Sequence, residues 1–252
     1  STTRHPHPRG TLEDQGEPMV ILVDFSSLIP RKDEILKSLW ESYHVDSISG
    51  QWDYIEPVLF GWAAGKVIAS YVDTFCTATE KVAAHFHEWM TAAGGLYLRL
   101  HAPYVATVFT THATIMGRCI AGNRLPLYND LSKFNADELA RQFNVTAKHS
   151  IEKMAATYHD EFLTVSDITA SECKYLLGRE VDGVTPNGFE NDFVWSGDEY
   201  VAKRAEARRA MISVAEACLA ASSPPIRSSS ARAAATSSTT RGSTLISRSS
   251  SW

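Results

Sequence analysis

The stretch that decides the fold is residues 82–118, VAAHFHEWMTAAGGLYLRLHAPYVATVFTTHATIMGR. Residues 82–86 and 105–110 are short runs rich in apolar and β-branched residues, as is typical of strands. Residues 89–100 between them have the spacing of an amphipathic helix. A strand, a helix and a second strand in this order predict two parallel strands joined by a helical crossover.

The same alternation of strand and helix continues in both directions along the chain. Further strands are predicted at residues 162–165, 181–185 and 19–25, where MVILVDF has the composition of a strand buried on both faces of a sheet. Further helices are predicted at residues 32–43, 57–74, 136–143, 150–158, 167–177 and 198–221. The sequence therefore predicts an α/β fold with a mainly parallel sheet and helices on both faces. In such sheets the functional residues gather just beyond the carboxyl ends of the strands.

Composition and charge exclude several classes of protein. The 252 residues are 44% hydrophobic with a formal net charge of −5, so a buried core is expected and a general nucleic-acid binder is not. The four cysteines are far apart and form no C-x-x-C pair, and no apolar run reaches the length of about 18 residues that spans a bilayer. These features predict a soluble, cytoplasmic protein without a nucleic-acid or membrane partner.

The two ends of the chain differ from the middle. Residues 222–252 contain 12 Ser and 4 Arg and no Asp, Glu or Lys, so they cannot bury enough surface to offset the entropy of ordering. Residues 1–18 lack hydrophobic periodicity. We therefore predict an unstructured leader at 1–18, a folded domain at 19–221 and a disordered tail at 222–252.

Two histidines and a carboxylate mark the end of the first strand of the deciding stretch. His85 and His87 alternate to the same side of that strand, and Glu88 follows at its end. The three could ligate a metal ion, but no further strong ligand lies at a recognisable spacing. A packed histidine beside a polar residue that lines a site is the favoured interpretation, and no metal is expected.

Thr111 and His112 follow the second strand, and Arg118 comes six residues after His112. A helix that starts nearby would carry Arg118 between one and two turns further on, so that imidazole and guanidinium could face one crevice. Guanidinium suits phosphate, and a neutral imidazole can donate to a sugar hydroxyl. A buried histidine with a surface arginine fits the pattern equally well, so both interpretations stay open.

The two later strand ends have structural explanations. Ser166 is placed as a helix N-cap, and Thr169 with Glu172 has the spacing of a second capping pair. Asn187 lies in a Pro-Asn-Gly turn signature after the last strand. The DxDxDG, P-loop and GxSxG motifs are absent, as is a complete GxGxxG.

Six segments, taken together and in this order, resemble the glycogen synthase family of glycosyltransferases, including its bacterial members. The segments are VILVDFSSL, SGQWDYIEPVLFGWAAGKVI, HFHEWM, ATVFTTHATIMGRCIAGN, LTVSDITASECKYLLGR and TPNGFEND. Each is weak alone, but the series covers about residues 18–220 and is specific as an ensemble.

The resemblance implies the GT-B arrangement, in which two Rossmann-like domains face each other across a cleft, and this chain would be the N-terminal, acceptor-side half. The family transfers glucose from a nucleotide sugar, typically UDP-glucose, to the non-reducing 4-hydroxyl of an α-1,4-glucan, with retention and without a metal or another cofactor. By the resemblance, His112 would face the donor glucose and Arg118 the donor phosphates, as the catalytic residues. The substrate-binding residues would then be Thr111, His87 and Glu88 near the acceptor side, and Asn187 near the interdomain crossing.

The sequence also departs from the family. Nothing before Met19 resembles the opening strand and Lys/Gly-rich loop that hold the nucleotide sugar, and nothing after Ala221 resembles the second domain. We therefore expect a truncated glycogen synthase with little or no activity of its own. The alternatives are a non-catalytic glucan-binding module that uses aromatic residues such as Trp89 and Tyr97, and a metal hydrolase that uses His85, His87 and Glu88.

The tail suggests a reason for the second departure. The family's second domain opens with a segment resembling TSGRYEFHNKGID. Written in GC-rich codons and read one base later, that segment gives RAAATSSTTRGST, which is residues 232–244 of this chain. The hypothesis is that the tail is out-of-frame translation with no selected fold.

Overall fold

The computed structural model describes residues 9–11, 19–129, 131–189 and 194–218. These residues fall into two compact units. The first unit takes its residues from 1–119 and 126–186, and the second from 120–125 and 187–252. The sheet and most of the predicted site residues belong to the first unit.

Strands form two sheets in the described residues. A short antiparallel ribbon joins β1 (Arg9–Thr11) to β2 (Met19–Ile21). The main sheet contains β3 (Ala83–His87), β4 (Ala106–Thr111), β5 (Glu161–Thr164) and β6 (Gly183–Val184) in the order β3-β4-β5-β6, with every neighbouring pair parallel. The predicted α/β fold with a parallel sheet is therefore confirmed.

Helices connect and flank these strands. The described α-helices are α1 (Lys32–Tyr43), α2 (Trp52–Phe75), α3 (Glu88–His101), α4 (Ile115–Gly122), α5 (Ala136–Gln142), α6 (Thr146–Tyr158), α7 (Asp167–Glu172) and α8 (Gly197–Cys218). A single turn of π-helix, Cys173–Leu177, extends α7, and 3₁₀ turns lie at Ser26–Arg31 and Leu131–Lys133. Helix α3 packs on β3 and β4, and α2 and α6 pack against α3.

The core of the first unit lies on one face of the sheet. Phe86, Phe109 and Phe162 are in register on three adjacent strands and are buried. The other face at β3 carries His85 and His87, which are exposed. The alternation of buried and exposed residues along β3 therefore sends the two histidines away from the core, as the period of a strand requires.

Glycines allow α2 and α3 to approach each other backbone to backbone. A Cβ added at Gly65 would lie 2.5 Å from the carbonyl oxygen of Gly94, and one added at Gly94 would lie 2.6 Å from the carbonyl oxygen of Gly61. Real Cβ atoms do not approach other atoms so closely, so each of these positions requires glycine. This close packing fixes α3, and with it the end of β3 from which α3 starts.

The prediction of a buried strand at residues 19–25 was wrong. Only Met19–Ile21 is a strand, it pairs in the antiparallel ribbon, and Met19 and Leu22 are 63% and 62% exposed. Val23 and Phe25 are partly buried against the core from an irregular segment. An apolar run therefore indicates that some of its residues are buried, but not that they form a strand. A buried strand also needs a neighbouring strand to pair with, which the run itself does not predict.

Other predicted boundaries also shift. Helix α2 begins at Trp52 rather than at residue 57. Pro57 lies inside the helix and cannot donate a backbone hydrogen bond, but a packed helix of 24 residues tolerates the loss of one such bond. The prediction of an unstructured leader at 1–18 differs from the structure at Arg9–Thr11, which forms β1. Residues 1–8, 12–18 and the predicted tail at 222–252 lie outside the described residues.

Candidate functional site

The end of β3 and the start of α3 form a strained turn that carries three polar side chains. His87 is extended and precedes the helix, and Glu88 has a φ of 64°, in the left-handed region that residues other than glycine rarely adopt. Such a conformation costs on the order of 1–3 kcal/mol and is characteristic of functional sites. Its consequence here is that the Glu88 carboxylate turns towards β4.

The ends of β3 and β4 meet through three hydrogen bonds. Glu88 Oε1 accepts a hydrogen bond of 2.9 Å from the backbone N–H of His112. Nδ1 of His87 and Nε2 of His112 are 3.0 Å apart, and Nε2 of His85 is 2.7 Å from the hydroxyl of Thr110. The ends of β3 and β4 therefore bring His87, Glu88 and His112 together.

Two of the histidines on this edge have lowered pKa values. Partial burial lowers the pKa of His85, and the nearby His112 lowers it further. Partial burial also lowers the pKa of His87, with further contributions from His85 and His112. Both shifts favour the neutral imidazole. In the contact between His87 and His112 one ring nitrogen donates and the other accepts, and Nε2 of His87 and Nδ1 of His112 take no part in this hydrogen bond.

Two buried carboxyl groups, each from a helix, bond to the loop at residues 111–115 that joins β4 to α4. They were not predicted as part of the site. Glu152 on α6 accepts hydrogen bonds from the Thr111 hydroxyl (3.0 Å) and from the Ile115 N–H (2.9 Å). Burial raises the pKa of Glu152 to about 8; the bonds from Ile115 and Thr111 oppose this rise and the neighbouring Glu88 and Glu172 add to it. The carboxyl group of Glu152 is therefore mostly protonated at neutral pH.

The second buried carboxyl group, Glu172, corrects the predicted second capping pair. Ser166 is the N-cap of α7, because its side chain accepts a hydrogen bond from the Thr169 N–H. Glu172 is instead fully buried and accepts hydrogen bonds from the hydroxyls of Thr114 (2.8 Å) and Tyr128 (3.0 Å). The spacing of Thr169 and Glu172 suggested a capping pair at the start of a helix, but Glu172 is the last residue of α7 and its side chain is buried.

The signal that could have identified Glu152 lies in its own helix. Glu152 follows the buried Ile151 and precedes Ala155 and Ala156 by three and four residues, and both alanines are fully buried. Residues three and four apart share a helix face, so this spacing places Glu152 on the face that packs inward.

The roles of all six predicted site residues stay predictions, and two of these residues, Arg118 and Asn187, take no part in the hydrogen bonds described above. Arg118 lies in α4, where its N–H donates to the Thr114 carbonyl, and its side chain is exposed. Asn187 is exposed and belongs to the second unit.

The alternatives fare differently. No group of three metal-ligating side chains occurs among the residues that the structure describes. His85, His87 and Glu88 instead bond to Thr110 or His112. Trp89, a proposed sugar platform, is buried and stacks on Tyr54, so it cannot grip a polymer in this conformation. Tyr97 packs edge-on against Trp62.

No helix in the described parts of the chain is long and apolar enough to cross a membrane. A parallel sheet with imidazoles and hydrogen-bonded carboxyl groups at its carboxyl edge is typical of Rossmann-like α/β domains, a class in which ligands bind beyond the strand ends. Its family follows from the sequence comparisons.

Residues 9–204 match the family model described as "Glycogen synthase". The chain is 34% identical over 175 residues to glycogen [starch] synthase of Neurospora crassa, a match that covers 69% of this chain and 24% of that protein. It is 35% identical over 180 residues to glycogen [starch] synthase isoform 2 of Saccharomyces cerevisiae (69% and 24%) and 32% identical over 178 residues to the Dictyostelium discoideum protein (71% and 20%). The chain belongs to the glycogen synthase family. It spans about a quarter of the length of these relatives.

Proposed function

We propose that this chain forms the acceptor-side wall of a glycogen synthase active site. The reaction would be retaining transfer of glucose from UDP-glucose to the non-reducing 4-hydroxyl of an α-1,4-glucan. A nucleic acid or a membrane is not among the proposed partners. The observation that supports this most is the contact between the imidazoles of His87 and His112. The Glu88 carboxylate holds His112 in place by accepting a hydrogen bond from its backbone N–H.

The residues have distinct roles in the proposal. Departure of a nucleoside diphosphate places negative charge on phosphate and positive charge on the sugar ring, and preorganised dipoles stabilise both better than water does. Nδ1 of His112 would contact the donor glucose, and the Arg118 guanidinium, which is exposed, would contact the diphosphate. His87 and Glu88 would line the acceptor side, with Thr111 beneath them and Asn187 at the crossing to a second domain.

We also propose that this chain gives no measurable glucosyl transfer by itself. In this proposal the departing diphosphate and the sugar ring lie between the two walls of the cleft, so groups from both walls are needed to stabilise the charge that develops on them. Measurable transfer from UDP-glucose by the purified chain would contradict the idea. The four cysteines form no disulfide with one another, which is in keeping with the proposed cytoplasmic location.

Isothermal titration with UDP-glucose and, separately, with a maltooligosaccharide tests the proposed site. We expect His112→Ala to weaken UDP-glucose binding by about tenfold or more, which corresponds to about 1.4 kcal/mol. The exposed His101 provides the matched control, because His101→Ala also removes an imidazole from the first unit. Equal affinities of the wild type and His112→Ala would exclude His112 from the donor site, and glucan binding without UDP-glucose binding would favour a glucan-binding module.

A further inference from the structure

The loop at residues 111–115 joins β4 to α4 and carries His112. Glu152 and Glu172, from α6 and α7, lie beneath this loop with no exposed surface. The loop residues to which these carboxyl groups bond lie on either side of His112. They are Thr111 and Ile115 for Glu152, and Thr114 for Glu172, which also bonds to Tyr128.

Glu152 holds both ends of the loop. One carboxyl oxygen bonds to the Thr111 hydroxyl, which precedes His112, and the other to the N–H of Ile115, the first residue of α4. The N–H groups of the first helical turn have no partner within the helix, so Glu152 satisfies one of them. A single side chain thus fixes the distance across the loop.

Glu172 holds the middle of the loop through Thr114. The Thr114 hydroxyl donates to Glu172 (2.8 Å) and accepts from the N–H of Gly117 (3.0 Å), so that Thr114 caps α4 while Glu172 orients its hydroxyl. With Glu88 bonded to the His112 N–H, three carboxyl groups from three helices hold the loop. Within residues 111–115, His112 is the one residue that is not buried, and its ring contacts His87.

Carboxyl groups in this position are costly for stability. A carboxyl group that is removed from water lowers the stability of the fold unless it is fully hydrogen-bonded, and an apolar side chain of similar size often stabilises the core more. Glu152 forms no ion pair with a described Lys or Arg. What Glu152 and Glu172 supply that a leucine cannot is a set of directed hydrogen bonds to the loop.

We propose that Glu152 and Glu172 are positioning residues, which fix the loop at residues 111–115 and so hold the His112 imidazole within hydrogen-bond distance of His87. The ligand that the loop serves rests on the proposed function; the positioning itself does not.

The first experiment observes the histidine pair directly. In protein labelled with ¹⁵N-histidine, the contact between Nδ1 of His87 and Nε2 of His112 gives a ¹⁵N–¹⁵N coupling through the hydrogen bond. We expect Glu152→Leu and Glu172→Leu to abolish this coupling and to shift the His112 ring signals. Glu152→Gln retains an oxygen for the Ile115 N–H and a polar group for the Thr111 hydroxyl, so it should restore both.

The matched control is Glu161→Gln, which alters an exposed carboxylate at the start of β5 and should leave the coupling unchanged. If the leucine variants fail to fold, Thr111→Val and Thr114→Val remove the same hydrogen bonds with little change in shape, and we expect the same loss. Chemical denaturation of every variant separates this effect from stability. A coupling that persists in folded leucine or valine variants, with only the unfolding free energy altered, would show a purely structural role and overturn the proposal.

The second experiment tests the link to the ligand. UDP-glucose affinity should fall by about tenfold in Glu152→Leu and stay within about twofold of the wild type in Glu152→Gln and Glu161→Gln. If the wild type binds no UDP-glucose, the proposed function fails while the coupling still decides the positioning. If affinity is unchanged in a variant that has lost the coupling, the positions of His87 and His112 do not matter for binding, and the proposed link is refuted.

Discussion

A buried neutral histidine makes the stability of this fold sensitive to acid. His159 is the C-cap of α6 and is only 3% exposed, and its Nδ1–H donates to the Ala155 carbonyl at 2.9 Å. Its Nε2 has no hydrogen-bond partner among the described residues and faces Gly95, where an added Cβ would lie 1.8 Å away. The ring packs against Phe86 and Phe109. A proton on Nε2 would therefore be buried without an acceptor.

The pKa shift gives the size of the effect. Burial lowers the pKa of His159 from 6.5 to about 4; Arg99 and Arg179 lower it further, and the Ala155 carbonyl and Asp160 oppose them. The unfolded chain binds a proton at pH 6.5 where the folded chain does not, so stability is present above pH 6.5 and is lost as pH falls towards 4. This loss amounts to about 2 kcal/mol at pH 5 and about 3 kcal/mol at pH 4.

Urea denaturation followed by tryptophan fluorescence, in steps from pH 7.5 to pH 5, measures this loss. Other groups titrate in the same range, so the comparison is with His159→Leu, which lacks the proton. The unfolding free energy of the wild type should fall by about 2 kcal/mol relative to the variant across this interval. The exposed His101 gives the control, because His101→Leu should follow the wild type. A difference between wild type and His159→Leu that stays constant with pH would refute the buried neutral imidazole.

Three further predictions follow from the packing, the buried carboxyl group and the sequence. Gly65→Ala should destabilise the fold by about 1–3 kcal/mol in urea denaturation, because its Cβ would lie 2.5 Å from the Gly94 carbonyl oxygen, whereas Gly122→Ala, with no atom within 4 Å, should change little. The pKa of Glu152 in the folded chain is raised from 4.5 to about 8, so its contribution to stability is fully present below pH 4.5 and is lost as pH rises through 8. Glu152→Gln should remove up to about 5 kcal/mol of this pH dependence of the unfolding free energy. A pH profile of stability that the variant leaves unchanged would contradict the prediction. DNA sequencing of the codons for residues 232–244 should show SGRYEFHNKGID in the alternative frame, and any other reading ends that hypothesis.

The residues at the strand ends could be predicted because topology alone brings them together. Strand alternation places His85 and His87 on one side, and parallel neighbours end at the same edge, so His112, which directly follows the next strand, has to lie nearby. No knowledge of packing is needed for this step. The contact between His87 and His112 is thus a consequence of a period of two and a parallel register.

The carboxyl groups beneath the loop could not be predicted in the same way, because they reach it through tertiary packing. A glutamate in an amphipathic helix normally faces water, and only the position of α6 against α3 turns Glu152 inward. The apolar segment at residues 19–25 fails for the complementary reason, since burial of Val23 and Phe25 needs a core but no strand partner. The local pattern of apolar residues therefore predicts which residues are buried, and the packing of neighbouring elements determines what those residues contact. This difference explains why the sequence can indicate that the imidazoles meet and that the face of α6 with Glu152 packs inward, whereas the contacts of Glu152 and Glu172 with the loop are seen only in the fold.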